Sequence, residues 1–212
     1  MTPDQPIGEW LQALASSASA PGGGAAGALN AAVGAALIAM VCNVTIGRSR
    51  YARHEPVMRE ALAQATALRG RALHLAADDA RAFGAVSQAY TLPRDTDEQT
   101  QARTERIQRA LVRATEVPLD TAALAGDVIQ VASRIVDGAN VTALADVAAA
   151  ALSARAALEA SLITVETNLL AITDPARGQD LSGRTTSLSA LVAEAESTVR
   201  RIRSRIHQNA EG

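Results

Sequence analysis

Few side chains in this sequence are equipped for chemistry, and they fall into three groups. Arg48 and Arg50 flank Ser49 and precede Tyr51, directly after a stretch, 21–47, that carries no charge. Two guanidinium groups beside a phenol can clamp a carboxylate through bidentate hydrogen bonds. They equally suit the C-terminal end of a helix, where the macrodipole favours cations. Asp79 lies near Phe83, and Asp146 lies in the otherwise apolar stretch 141–151. A carboxylate in such surroundings is either paired with arginine or has a raised pKa, which fits a general acid or base. Asn43, Asn140 and Asn168 also interrupt apolar runs, so each is a cap, a tie between helices or a ligand contact.

The fourth feature is backbone rather than side chain. Pro21 is followed by Gly22, Gly23 and Gly24, and the glycines open the charge-free stretch. One reading is that they end one helix and begin the next. The other is that unpaired N–H groups at the start of the second helix hold a carboxylate or the oxygen of a heterocycle. Gly22, Gly24 and Gly27 satisfy the spacing G-x-G-x-x-G of dinucleotide-binding loops. That reading fails, because a helix precedes the glycines where a strand is required and no acidic residue stands near the expected ribose position.

The elements that must position these groups are helices. Only 2% of the residues are aromatic while alanine dominates, which favours helix over sheet. With 212 residues and 48% hydrophobic composition, the chain can bury one substantial core, and residues 1–212 are expected to form a single domain. The pattern predicts helices over 7 to about 19, 24 to about 46 and 55 to about 90. A fourth helix is expected from an N-cap at Thr96, with Gln99 completing a capping box. A fifth is expected from Pro118 to about 137, a sixth from 140 to about 172, and a last from about 188 to 207. Two Ala- and Gly-rich helices need neighbours on every side, which points to a homodimer packed through long helices.

Several function classes are excluded or disfavoured. All twenty Lys+Arg residues are arginine, so a Schiff-base lysine and a P-loop lysine are absent. A formal net charge of −2 offers no electrostatic case for nucleic acid. None of His54, His74 and His207 follows a glutamate by three residues, and Cys42 has no cysteine partner, so no metal site is expected. The helix over 24–46 is long enough to cross a membrane, yet its asparagines and small side chains favour burial in a soluble protein. The single cysteine and the absence of a basic start followed by an apolar core point to the cytosol.

Four segments together resemble the cyclodeaminase/cyclohydrolase family. They are Pro21-Gly22-Gly23-Gly24, then Met40 through Asn43 to Tyr51, then Asp78-Asp79-Ala80-Arg81-Ala82-Phe83, and Asn140 to Asp146 with Asn168. Ala89 to Thr96 and Thr115-Glu116-Val117-Pro118-Leu119 continue the likeness, which runs in order through nearly the whole chain. The resemblance implies an all-α dimer that acts on a tetrahydrofolate derivative as substrate and needs no other cofactor. It implies hydrolysis of 5,10-methenyltetrahydrofolate, or closure of 5-formiminotetrahydrofolate with loss of ammonia. Asp79 or Asp146 would serve as the carboxylate at the reacting carbon, Asn43 or Asn168 would orient the reacting groups, and Arg48 and Arg50 would hold the glutamate tail. The chain departs from the family pattern at Arg48, Arg50 and Arg94, where lysine is common, and at Arg81, Ala139, Thr142 and Thr164. Arginine keeps the charge but does not titrate near neutral pH, so a folate-binding protein that has lost catalysis stands as a third reading.

Overall fold

Alanine and glycine set the spacing of this fold, because small side chains let helix backbones approach closely. The computed structural model describes residues 5–210, so the ends of the expected domain, 1–4 and 211–212, lie outside the described residues. In chain order the helices are α1 (Ile7–Leu14), α2 (Gly23–Thr45), α3 (Glu55–Tyr90), α4 (Asp97–Ile135), α5 (Leu144–Leu169), α6 (Pro175–Ser189) and α7 (Leu191–Ala210). Short 3-10 turns over Ser49–His54 and Val141–Ala143 lead into α3 and α5. No strand occurs among the described residues.

Helices α2 to α5 form an up-down-up-down bundle. Gly24 meets Asp79 and Gly47 meets Glu55, so α2 and α3 are antiparallel. Gly27 faces Ala157 and Ser161, while Gly34 faces Ala150 and Ala154, so α2 and α5 are antiparallel as well. A Cβ added at Gly34 would lie 2.9 Å from the Ala150 carbonyl oxygen. The two backbones therefore touch where a methyl group does not fit. The core between the four helices holds Ile38, Met58, Leu124, Ile129 and Leu158, all fully buried. Helix α7 covers α4 and α5 with Ala195 and Ile202, and Trp10 of α1 packs on Ala25, Ala28 and Ala76.

Three expectations need correction. The fourth and fifth helices are one, with Pro118 inside α4 rather than in a first turn. Asp174-Pro175, expected as a break, also begins an additional helix, because Asp174 caps α6 by accepting from the N–H groups of Ala176 and Arg177. The first helix stops at Leu14, where Ser16 turns its hydroxyl back to the Ala13 carbonyl. Helix α3 spans the expected 55–90, and Thr96 caps α4 by accepting from the Gln99 N–H. By length and composition, α2 and the 141–169 segment are each apolar enough to cross a membrane. In the bundle both are packed against α4 on their inner sides.

Candidate functional site

Helix α2 separates the expected site residues into two groups. Its 23 residues make a rod of about 33 Å between end residues. At its N-terminal end, Gly22, Gly23 and Gly24 line a cavity of about 180 Å³ together with Asp79, Phe83 and Asn168. Ser19 and Ala20 close one side, Ala114 and Thr164 the other. At its C-terminal end, Arg48, Arg50, Tyr51 and Asn140 border a second, open cavity of about 570 Å³.

The upper cavity is built around one carboxylate. Asp79 rests directly on the first turn of α2, and a Cβ on Gly24 would lie 2.6 Å from the Asp79 Cγ. Glycine is needed there by contact, since any larger residue would displace the acid. Burial pushes the Asp79 carboxyl above its ordinary value, while the hydrogen bond from the Ala25 N–H pulls the other way and only partly offsets it. Of the first N–H groups of α2, which have no partner within the helix by geometry, that of Ala25 is held by Asp79, and those of Gly23 and Gly24 are the ones left for a ligand oxygen.

Asn168 enters the same cavity for a reason that begins in α4. Pro118 has no N–H, so the carbonyl of Ala114, four residues earlier, loses its helical donor. The Asn168 Nδ2 supplies it at 2.9 Å. A proline in mid-helix thus fixes the amide on the neighbouring helix. Among the described residues the Asn168 Oδ1 has no donor and stays free toward the cavity.

The lower group is occupied with itself. The Asn140 Oδ1 accepts from the Tyr51 hydroxyl at 3.3 Å, the Thr142 N–H at 3.2 Å and the Thr142 hydroxyl at 3.0 Å. The Asn140 N–H donates to the Thr45 Oγ1 at 3.0 Å, and the Val141 N–H donates to the Tyr51 hydroxyl at 3.1 Å. This amide is a tie between α2 and α5. Arg48 caps α2 by donating from Nε to the Val44 carbonyl at 2.7 Å, and the Arg50 guanidinium lies 5.9 Å from the Tyr51 ring centre. Neither arginine is ion-paired among the described residues.

Two expected residues fall outside both cavities. Asn43 is exposed on α2 rather than buried, so it carries no obligation to find a partner. Asp146 is half-buried in the first turn of α5, about 33 Å along that helix from Asn168. Within one chain, Asp146 and Asp79 do not share a site. Phe83 and Thr164 line the upper cavity without having been singled out as its walls. The spacing contained the signal, since each stands four residues from a site residue, Asp79 or Asn168, on the same helix face. Among the described residues no three His, Cys, Asp or Glu side chains are grouped to hold a metal ion.

The model of the formiminotransferase-cyclodeaminase family matches residues 6–187. The chain belongs to that family. It is 39% identical to the methenyltetrahydrofolate cyclohydrolase of Methylorubrum extorquens over 95% of this chain and 96% of that protein. It is 30% identical to the formimidoyltransferase-cyclodeaminase of Rattus norvegicus over 91% of this chain, which spans 35% of that longer protein. The family fold is seen in the crystal structure of formiminotetrahydrofolate cyclodeaminase from Thermotoga maritima, with a TM-score of 0.82 and 24% identity over 98% of both chains.

Proposed function

We infer that this chain is a methenyltetrahydrofolate cyclohydrolase, adding water to 5,10-methenyltetrahydrofolate to form 10-formyltetrahydrofolate. The observation that carries the chemistry is Asp79, a carboxyl raised by burial and held against the glycine turn of α2 beside Asn168. Support for the substrate is the likeness to the Methylorubrum extorquens enzyme, which extends over nearly all of both chains.

The substrate brings its own electrophile, the amidinium carbon bridging two nitrogens. The ionised Asp79 stabilises that cation and takes one proton from water as the oxygen adds to the carbon. It returns this proton to N5 as the carbon–N5 bond breaks. The hydroxyl proton of the adduct leaves as the formyl group forms, so one proton is released per turnover. Asn168 orients the water through its free Oδ1, and the N–H groups of Gly23 and Gly24 receive an oxygen of the pterin ring. Phe83, 45% exposed at the cavity wall, offers its face to that ring. No metal or further cofactor is needed, because the cationic carbon requires no Lewis acid. The protein is proposed to act as one domain, in the cytosol, as a homodimer.

The test is spectroscopic. Purified protein should accelerate the loss of the near-ultraviolet absorbance of 5,10-methenyltetrahydrofolate well above the spontaneous rate. Running 5-formiminotetrahydrofolate in parallel measures the cyclodeaminase reaction, which passes through the same kind of tetrahedral carbon. Ammonia release with no methenyl hydrolysis would replace the reading with cyclodeaminase, and binding without either reaction would leave a folate-binding protein.

A further inference from the structure

One wall of the cavity at Asp79 is fastened differently from the others. Phe83, Ala114, Thr164 and Asn168 stand on long helices of the bundle, whereas Ser19 and Ala20 belong to the segment that follows α1. Along 6–20 every hydrogen bond among the described residues is local. The Trp10 N–H donates to Pro6, the Ala15 N–H to Leu11, the Ser16 N–H and hydroxyl to Ala13, and the Ala18 N–H to the Ser16 hydroxyl. Among the described residues neither a hydrogen bond nor an ion pair joins this segment to the bundle.

The contact that docks the segment is apolar and centred on one side chain. Trp10, the only tryptophan in the sequence, is the buried residue of α1 at 2% exposure, Leu14 is partly buried beside it, and Ile7 and Leu11 remain half-exposed. The indole rests on Ala25 of α2 and Ala76 of α3. These two helices seat the acid, since the Ala25 N–H donates to Asp79 and Ala76 stands one turn before it. The Trp10 Nε1–H, however, is buried without a hydrogen-bond partner among the described residues. A buried indole N–H usually finds an acceptor, and leaving it unmade cancels part of what burial of the ring gains. Displacement into water would satisfy the N–H and expose the ring. Two opposed terms therefore act on the side chain that docks α1, and the docked and displaced positions lie close in free energy.

The connection is also suited to motion. Between Leu14 and Pro21 the sequence holds only Ala and Ser, and 15–19 are exposed. The cavity of about 180 Å³ falls below the ~300–1,000 Å³ of pockets that enclose drug-sized ligands, so a folate does not enter while every wall stays in place. We propose that α1 is a lid on the cavity at Asp79 and that Trp10 is the positioning residue that closes it. The lid swings about 15–20 to admit the folate, then docks again through the indole and sets Ser19 and Ala20 against the bound ring. Closure covers Ala25 and Ala76 and keeps bulk water from the seat of the acid. Trp10 itself touches no reacting atom. The inference rests on the folate reaction proposed above, but the motion of α1 is read without folate.

Trp10 supplies the single indole N–H signal of the protein. Relaxation-dispersion NMR of the intact wild type should show that signal exchanging between a buried and a solvated state on the microsecond-to-millisecond timescale, and a flat profile overturns the lid. An excess of 5,10-methenyltetrahydrofolate, in the mixture it forms with 10-formyltetrahydrofolate, should slow amide hydrogen exchange over 7–20 by about fivefold or more and leave α6 unchanged. Exchange over 7–20 that ignores folate in a protein that turns it over overturns the lid as well. In kinetics, Trp10→Ala should raise KM about tenfold with kcat within about twofold, because closure on bound folate becomes rarer while Asp79 and Asn168 are untouched. Trp10→Phe keeps a ring without an N–H to leave unpaired, and should hold KM within about threefold of wild type. A fall in kcat at unchanged KM in Trp10→Ala would make the indole a prop for Asp79, and wild-type values would make the wall rigid; either result sinks the idea. A wild type without turnover whose Trp10 signal exchanges as expected would reject the reaction and leave the mobile lid standing.

Discussion

The two ends of α2 are built from similar materials and do opposite things. At the C-terminal end, Thr45, Tyr51 and Asn140 satisfy one another, so these three polar groups hold structure. At the N-terminal end, Asp79 is buried with little compensation and Asn168 keeps an oxygen free. A spent hydrogen-bond network stabilises, whereas an incomplete one is prepared for a ligand. The difference lies in what remains unsatisfied rather than in which residue types are present.

The strongest way to break this contrast is Asp79→Asn. Turnover should fall by about a hundredfold or more in the absorbance assay, and wild-type rates would remove Asp79 from the chemistry. The same variant should be more stable than the wild type at neutral pH, measured by thermal unfolding. The sign follows from linkage. A carboxyl raised in the folded state makes stability fall as pH climbs from the ordinary value of 3.8 through the raised one. The gain in the variant is therefore complete above that interval and disappears below it. Activity of the wild type should decline on acidification with a midpoint above the ordinary aspartate value.

Smaller effects sharpen the comparison. Gly24→Ala forces a methyl group into the Asp79 carboxylate and should cost about 1–3 kcal/mol in denaturant unfolding, with a loss of turnover. Gly70→Ala on α3, where nothing lies within 4 Å, should instead gain about 0.5–1 kcal/mol. Tyr51→Phe leaves the Val141 N–H without its acceptor and should cost about 1–2 kcal/mol of stability. Pro118→Ala returns a donor to the Ala114 carbonyl and releases Asn168, so kcat/KM should fall about threefold to tenfold without loss of stability. The smallest change belongs to Asp146→Asn, which removes a favourable charge from the first turn of α5 and should cost about 0.3–1 kcal/mol. A drop in turnover as large as that of Asp79→Asn would mean that Asp146 reaches the reacting carbon from the second copy.

Much of the fold was legible because helix periodicity and capping are local. The limits of α3 and the Thr96 cap follow from residues within one turn of each boundary. Pro118 misled for the opposite reason. Its local preference is a first turn, and what keeps α4 continuous is an amide fifty residues away on α5. Helix α6 was obscured by Gly178, Gly183 and a Ser/Thr-rich end, although its Asp174 cap stands openly in the sequence. Asp79 could be nominated from its apolar setting, but its seat on Gly24 depends on two helices meeting. Asn43 and Asn140 were indistinguishable as interruptions of apolar runs, and only packing makes one exposed and the other a buried tie.

The close contact at Gly34 also bears on how this chain can change in length. With no room for a methyl group against Ala150, α2 cannot turn or slide on α5 to absorb an added residue. One residue inserted within α2 would rotate everything before it by about 100° and lift it by about 1.5 Å, carrying Gly24 away from Asp79. Insertions and deletions are thereby confined to the connections, and the number of residues from Gly24 to Thr45 becomes a fixed dimension of the enzyme.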